Sequence, residues 1–383
     1  MTRIRPRSSA TVRRLARRLS WRATGALAVL ALVAIGCAGL ALGLMIGALP
    51  VFAATPMLQV GVVVLSGALI WAALRIAHWM LVPAPRAEGV KVDRHAAPAL
   101  YRMLDNLAER MGTETIQTIR ISAEMNAAVF QRPRWGYCGA LDTTLIIGLP
   151  LVHSVSPRQL AAILAHELAH LNRQRGGWPA WGAHARAWWH RVCERIAAED
   201  SWLAQWVDGA FSSWAEADLM AAVRLNHLEE YEADRLAARV VGSKLLGDTL
   251  VEVAMKANFI ETDYWGAVMS QALEMPRPSL RPFRDMGMGV AAGFHAAPQH
   301  RALHSLVCED SELCFHPTLT DRLVALGVAP RLPQPDACTA ASHYLQGALP
   351  RLSRVFDSRW WRSARQDWRR YYASTMPGAR EPD

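Results

Sequence analysis

A chain of 383 residues is long enough for one large domain with accessories or for two modest ones. Its formal net charge of +9 is almost wholly local, because residues 1–22 hold eight arginines (Arg3, Arg5, Arg7, Arg13, Arg14, Arg17, Arg18 and Arg22) and no acid. A nucleic-acid binder spreads basic charge over a folded face, so charge confined to one end argues against nucleic acid as the partner, and the segment that follows must explain it.

That segment is apolar. From Ala23 to Leu49 no residue is charged, which at 1.5 Å per residue is more than a bilayer core requires and longer than the about 7–15 apolar residues of a signal peptide. A second apolar run extends from Met57 to Leu74 and stops at Arg75, with only the uncharged "PVFAATP" between the two. Residues 23–82 therefore read as a two-helix transmembrane hairpin behind a basic tail, 1–22, with the lipid bilayer as partner. Arg75, Arg86, Lys91 and Arg94 follow the second run and no basic residue lies in the loop. Positive residues stay cytoplasmic, so both the tail and everything after residue 83 are expected on the cytoplasmic side. The tail's arginines also suit anionic headgroups.

The remainder, taken in order, reads as alternating short elements. "VDRHAAPALYRMLDNLAERMG" (92–112) has helical spacing of Leu100, Met103, Leu104 and Leu107 and ends at Gly112. "TIRIS" (118–122) alternates as a strand. "TTLIIGLPLV" (143–152) reads as a strand, and Pro150 suggests an edge position; such a strand could pair with an extended peptide. "SVSPRQLAAILAHELAHLNRQRGG" opens with Ser156 as N-cap, Pro157 at the first helical position and Gln159 completing a capping box, so a buried helix is expected from 157 to 175, stopped by Gly176–Gly177. Residues 178–225 carry Trp178, Trp181, Trp188, Trp189, Trp202, Trp206 and Trp214, interrupted by charge every few residues. They form amphipathic helices, not a further span, and their tryptophans suit either a helix–helix core or a membrane interface. A helix covers "LNHLEEYEADRLAARVVG" up to Gly242, and residues 245–275 are helical again. Residues 276–300, with Pro276, Pro278, Pro282 and three glycines, read as an irregular loop, and residues 339–372, with Trp360, Trp361 and Trp368, as helix. Six scattered cysteines (Cys37, Cys138, Cys193, Cys308, Cys314 and Cys338) form no CxxC pair and read as free thiols of a reducing compartment.

The chemistry lies in "HELAH". On a helix His166 and His170 share one face and can direct both imidazoles at one metal ion. Glu167 is placed to reach a water on that metal. This is the zincin arrangement of two histidine ligands and a glutamate base. A catalytic zinc needs a third protein ligand, for which "NHLEEYEAD" offers His227, Glu229, Glu230 and Glu232. Glu230 and Asp234 are four apart and share a face, so one can bind the metal while the other orients a ligand histidine.

HELAH (166–170) followed some sixty residues on by EYEAD (230–234) resembles the M48 metallopeptidases, the family of the membrane-bound CAAX-processing protease and of the bacterial stress protease that clears membrane proteins. "MNAAVF" (125–130) and "HPTLTDRL" (316–323) resemble two further elements of that family, so the likeness spans about residues 92–330. It implies one Zn2+ per chain held by His166, His170 and Glu230, Glu167 as general base, and Asp234 as the partner behind a ligand. It further implies that His316 and Arg322 lie near the site, against substrate or oxyanion, and that Asn126 lies on the substrate strand. The expected fold is mainly α with a small β-sheet: a zincin-like metallopeptidase domain (83–330, with the Trp-rich insert 178–225) preceded by an N-terminal two-helix transmembrane hairpin and followed by a helical extension, 331–383.

The expected protein is a zinc metalloendopeptidase of the bacterial inner membrane, its catalytic domain facing the cytoplasm, acting on protein or peptide substrates in membrane-protein processing or quality control. The rival reading is a membrane-tethered module that holds clients with little proteolysis. This sequence departs from the family where "QRPRWGYCGALDTT" replaces the usual strand motif after Asn126, and where the Trp-rich stretch stands in place of a second hairpin. Residues 276–300 and the His316 segment are the candidates for a cover over the metal. Substrate identity and oligomeric state are not encoded in any motif.

Overall fold

The computed structural model describes residues 9–51, 55–136, 139–173, 177–296, 316–332 and 338–375. The chain is mainly helical with one four-stranded sheet, and it divides into two compact units. One comprises Met1–Pro85, Arg132–Leu141 and Gln174–Leu228; the other comprises Arg86–Gln131, Asp142–Arg173 and Glu229–Asp383.

The first unit is built on the apolar helices. Helix α1 (Ser9–Gly43) begins inside the arginine-rich stretch and continues through a π-turn, Leu44–Ala48, as far as Val51. Helix α2 (Pro56–Met80) follows. Both are long and apolar enough to cross a membrane and pack on each other. Their outer flanks leave Leu32, Ile35, Ile46, Val60 and Val64 more than 60% exposed, an apolar surface that a soluble protein would cover. Residues 9–22 are helix in the structure, and Val12 and Leu19 pack with Leu225 and Leu228.

Helix α6 (Gly177–Ala197) and the first part of α7 (Trp202–Val241) complete this unit. The Trp-rich stretch is partly packed and partly exposed. Trp188 donates to the Met80 carbonyl at 2.8 Å and Trp189 meets Phe211 edge-on, whereas Trp202 and Trp206 are 69% and 70% exposed, with Trp202 stacked on Trp71 of the apolar α2. The side chains of Trp178 and Trp214 lie outside the described residues. Polar ties close the unit: Glu199 accepts from Arg75 and from Trp79 Nε1, and Arg22 meets Asp218 at 3.0 Å.

The second unit holds the sheet. Strands β1 (Val90–Val92), β2 (Thr118–Ser122), β3 (Ala127–Pro133) and β4 (Leu141–Gly148) lie in the order β1-β2-β4-β3. β1 runs antiparallel to β2, pairing Lys91 with Arg120, and β2 runs parallel to β4, pairing Ile119 with Leu145. Ile119, Ile121, Leu145 and Ile147 are buried on one face of the pleat, where they meet Leu100 and Leu104 of α3 (Pro98–Met111) and Leu160 and Leu164 of α5 (Pro157–Arg173).

Three expectations change here. The first amphipathic helix starts at Pro98, because residues 90–92 join the sheet. The strand beginning near 143 ends at Gly148 and is interior: Pro150 falls in the first turn of α4 (Leu149–Ser154), where its missing N–H costs nothing, and the edge beside β4 belongs to β3. The stretch read as an irregular loop contains α10 (Pro282–Ala296), preceded by α8 (Ser243–Phe259) and α9 (Trp265–Ser270). Residues 297–300 of that stretch, together with His304, Cys308 and Cys314, lie outside the described residues. After α11 (Leu319–Leu326), helices α12 (Ala340–Tyr344) and α13 (Leu349–Thr375) pack on the same core, with Trp368 fully buried and its Nε1 donating to the Met275 carbonyl.

Candidate metal centre

Helix α5 is fixed before it reaches the site. The Ser156 amide donates to Gln159 Oε1 at 2.8 Å, the reciprocal half of the capping box. Gln159 donates onward to Glu252 of α8, and Lys256 holds both Glu252 and the Ser154 carbonyl. Leu160, Leu164 and Leu168, with Ala162, Ala165 and Ala169, bury the inward side of the helix. The expected glycine stop falls partly on residues 174–176, outside the described residues, and Gly177 opens α6.

One turn apart on α5, His166 and His170 bring their Nε2 atoms to 3.2 Å. Glu230, on α7, sets Oε2 3.3 Å from His166 Nε2 and Oε1 3.4 Å from His170 Nε2. Donors at 2.0–2.2 Å from one tetrahedral centre stand about 3.3–3.6 Å apart, so two imidazole nitrogens and one carboxylate fit a zinc ion. Of the four acidic and histidine candidates on α7, Glu230 is the one that meets both histidines.

A second layer stands behind the first. Asp234, 1% exposed, places Oδ1 3.0 Å from His166 Nδ1. A proton on Nδ1 leaves Nε2 with its lone pair toward the metal position. Arg322 of α11 grips Asp234 with two parallel bonds, Nε to Oδ2 at 2.8 Å and Nη2 to Oδ1 at 2.7 Å, and its Nη1 comes to 3.6 Å from Glu230. His316, largely exposed, sets Nδ1 3.5 Å from Glu230 Oε1.

The electrostatics favour a cation. Burial opposes charge on His166, yet Asp234 and Glu230 lift it to about 9. Burial likewise opposes the charged form of Glu230, but His166, His170 and His316 hold its carboxylate far below the usual range. Asp234 is also lowered, by Arg322 and His166 against the cost of burial. Glu167 moves the other way: burial raises it, with the two histidines and the Val129 amide of β3 pulling in the opposite direction. A carboxyl raised toward neutrality is suited to exchange protons at working pH.

Asn126 lies exposed at the bend before β3, its carbonyl accepting from Gly148 at 2.7 Å. Gly148 is required there, because a Cβ would stand 1.7 Å from the Glu124 carbonyl oxygen. Glu252 and Lys256, which hold the start of the metal helix, carried no sequence signal; only their side-chain reach across the fold reveals them.

The sequence profile of peptidase family M48 matches residues 94–328, more than half of the chain. The chain belongs to peptidase family M48. It is accordingly a zinc metallopeptidase, and His166, His170 and Glu230 form a possible site for the metal that the family implies. No solved structure matches the chain. Every motif that suggested M48 membership lies inside the matched residues, and the donor cluster, Asp234 and Arg322 all belong to the second unit of this M48 peptidase.

Proposed function

We propose that the protein is a membrane-anchored endopeptidase of the bacterial inner membrane, its peptidase domain facing the cytoplasm, that cuts protein or peptide substrates in the processing or quality control of membrane proteins. The observation that carries the catalytic part is the pair of Nε2 atoms 3.2 Å apart with Glu230 across them and Glu167 on the same helix. His166, His170 and Glu230 hold zinc, which when bound supplies an acidified water and a polarised carbonyl. Glu167 accepts the proton of the attacking water and returns it to the leaving amine. Asp234 and Arg322 keep His166 in its ligand tautomer. His316, beside Glu230, donates to the developing oxyanion. An extended substrate adds to the β3 edge next to Asn126.

The membrane part rests on α1 and α2, which are long, apolar and exposed along their flanks. Basic residues stand at the outer ends of both helices and none between them, which is the arrangement of a hairpin with both ends in the cytoplasm.

Casein cleavage by the full chain in detergent tests this reading. Wild type should cut, and Glu167→Gln should retain zinc while losing activity by at least about 10²–10⁴-fold. Equal activity in both proteins would remove Glu167 from its role. A wild type that binds zinc, retains casein and does not cut it would favour the client-holding rival.

A further inference from the structure

A second concavity shares no residue with the metal centre. The end of α4, the start of α10 and the start of α13 enclose a cavity of about 310 Å³. At its mouth stand three exposed arginines, Arg281, Arg284 and Arg354. Arg284 is shared with its neighbour Asp285 at 2.8 Å. The guanidinium groups of Arg281 and Arg354 make no hydrogen bond or close ion pair among the described residues, although Arg281 lies in the field of Asp285 and Asp357.

Ser353 forms part of the floor and is 5% exposed. Ser154, Ser358 and Ser363 each donate to a carbonyl one turn back in their helices, the usual resort of a helical hydroxyl. Ser353 does not, and has no partner among the described residues. Its oxygen is nevertheless not among the sealed, unpaired polar atoms, so it opens into the cavity. Asp357 also lines the space, but one of its oxygens accepts the Phe283 amide at 2.8 Å and the other is sealed from solvent, as is His153 Nε2. The groups free to meet a ligand are therefore guanidinium and hydroxyl donors. The 27-residue helix α13 begins here and adds the positive end of its dipole, whereas the first turn of α10 is already capped by Asp285 and Asp357. Six further exposed arginines between Arg351 and Arg370 extend the positive field along α13.

Planar guanidinium forks bind phosphate oxygens in bidentate pairs. The fork of Arg284 is taken by Asp285, so the forks of Arg281 and Arg354, with the Ser353 hydroxyl, are the donors that remain, and they suit the three terminal oxygens of a phosphate ester. We propose that this cavity binds the phosphoryl group of a phosphorylated ligand, either a soluble phosphate compound or a phospholipid headgroup.

Calorimetric titration of the full chain in a non-phosphate detergent, at constant ionic strength, tests the proposal. The probes are pyrophosphate and, separately, short-chain phosphatidic acid against phosphatidylcholine. Wild type should bind at least one phosphate probe. Arg281→Gln/Arg354→Gln, with an unchanged melting temperature, should bind it at least about tenfold more weakly, and Ser353→Ala should show a smaller loss of the same sign. Binding of pyrophosphate assigns a soluble ligand, and binding of phosphatidic acid alone assigns a headgroup. No binding of either probe, or equal binding by the double variant, overturns the site.

Discussion

Arg322 stands behind His166, with Asp234 in contact with both. Its two bonds to Asp234 hold the carboxylate that orients His166. Replacing it with methionine leaves the buried Asp234 with His166 as its remaining partner, so Arg322→Met should weaken zinc binding by about 10–100-fold, measured by competition with a chromogenic chelator. A second residue gives a pH dependence. His153 is kept neutral by burial and lowered to about 4, against about 6.5 in an unfolded chain. Between those values the unfolded state binds the extra proton, so stability falls as pH drops from 6.5 toward 4, by at most about 3 kcal/mol. The melting temperature of wild type should fall relative to that of His153→Gln as pH drops through that window, and the difference between them should be constant above it. At this scale part was legible: the i, i+4 spacing put His166 and His170, and Glu230 and Asp234, on shared helix faces, while the choice of Glu230 over His227, Glu229 and Glu232 came from the resemblance to M48. Glu252, Lys256 and the cavity arginines were not legible, because what brings them into play is tertiary proximity without a local pattern.

Helix α10 shows how an element misleads a reader of sequence. Its glycines look like helix breakers, but in the structure they are points of contact. A Cβ on Gly289 would stand 2.7 Å from the Tyr264 ring, and one on Gly293 would stand 2.7 Å from Phe259. Small residues let α10 lie close against the helices before it, and the packing gained outweighs the low propensity. Gly293→Ala should therefore destabilise by about 1–3 kcal/mol through overpacking, although alanine is the better helix former; a lowered melting temperature checks it. Pro150 misled for a related reason: the same residue that cannot sit inside a sheet is well suited to the first turn of a helix, and the sequence does not say on which side of Gly148 the change occurs.

For the whole molecule, the apolar pattern of residues 23–74 announced two long helices, and the structure extends both, with α1 taking in residues 9–22. The arginines there were read as a tail because charge suggests solvent, whereas Val12 and Leu19 stitch the same turns into a packed cluster. A protein with this exposed apolar pair should stay in the membrane pellet after alkaline carbonate washing. Stripping the metal should also be felt globally. A ligand that binds only the folded state stabilises it by mass action, so chelation should lower the melting temperature of wild type, while a His166→Ala protein should melt at the same point with or without chelator.

The order in which the site's parts occur along the chain has a consequence in time. Glu230 completes the ligand set, but Arg322, which clamps Asp234 behind it, lies 92 residues later, the difference between the two positions. A ribosome adding about 5–20 residues per second needs about 5–20 s to cover that distance. Throughout that interval the nascent chain carries both histidines and the glutamate without the arginine that sets them. The cluster is thus complete in the growing chain before the arginine that clamps Asp234 has been made.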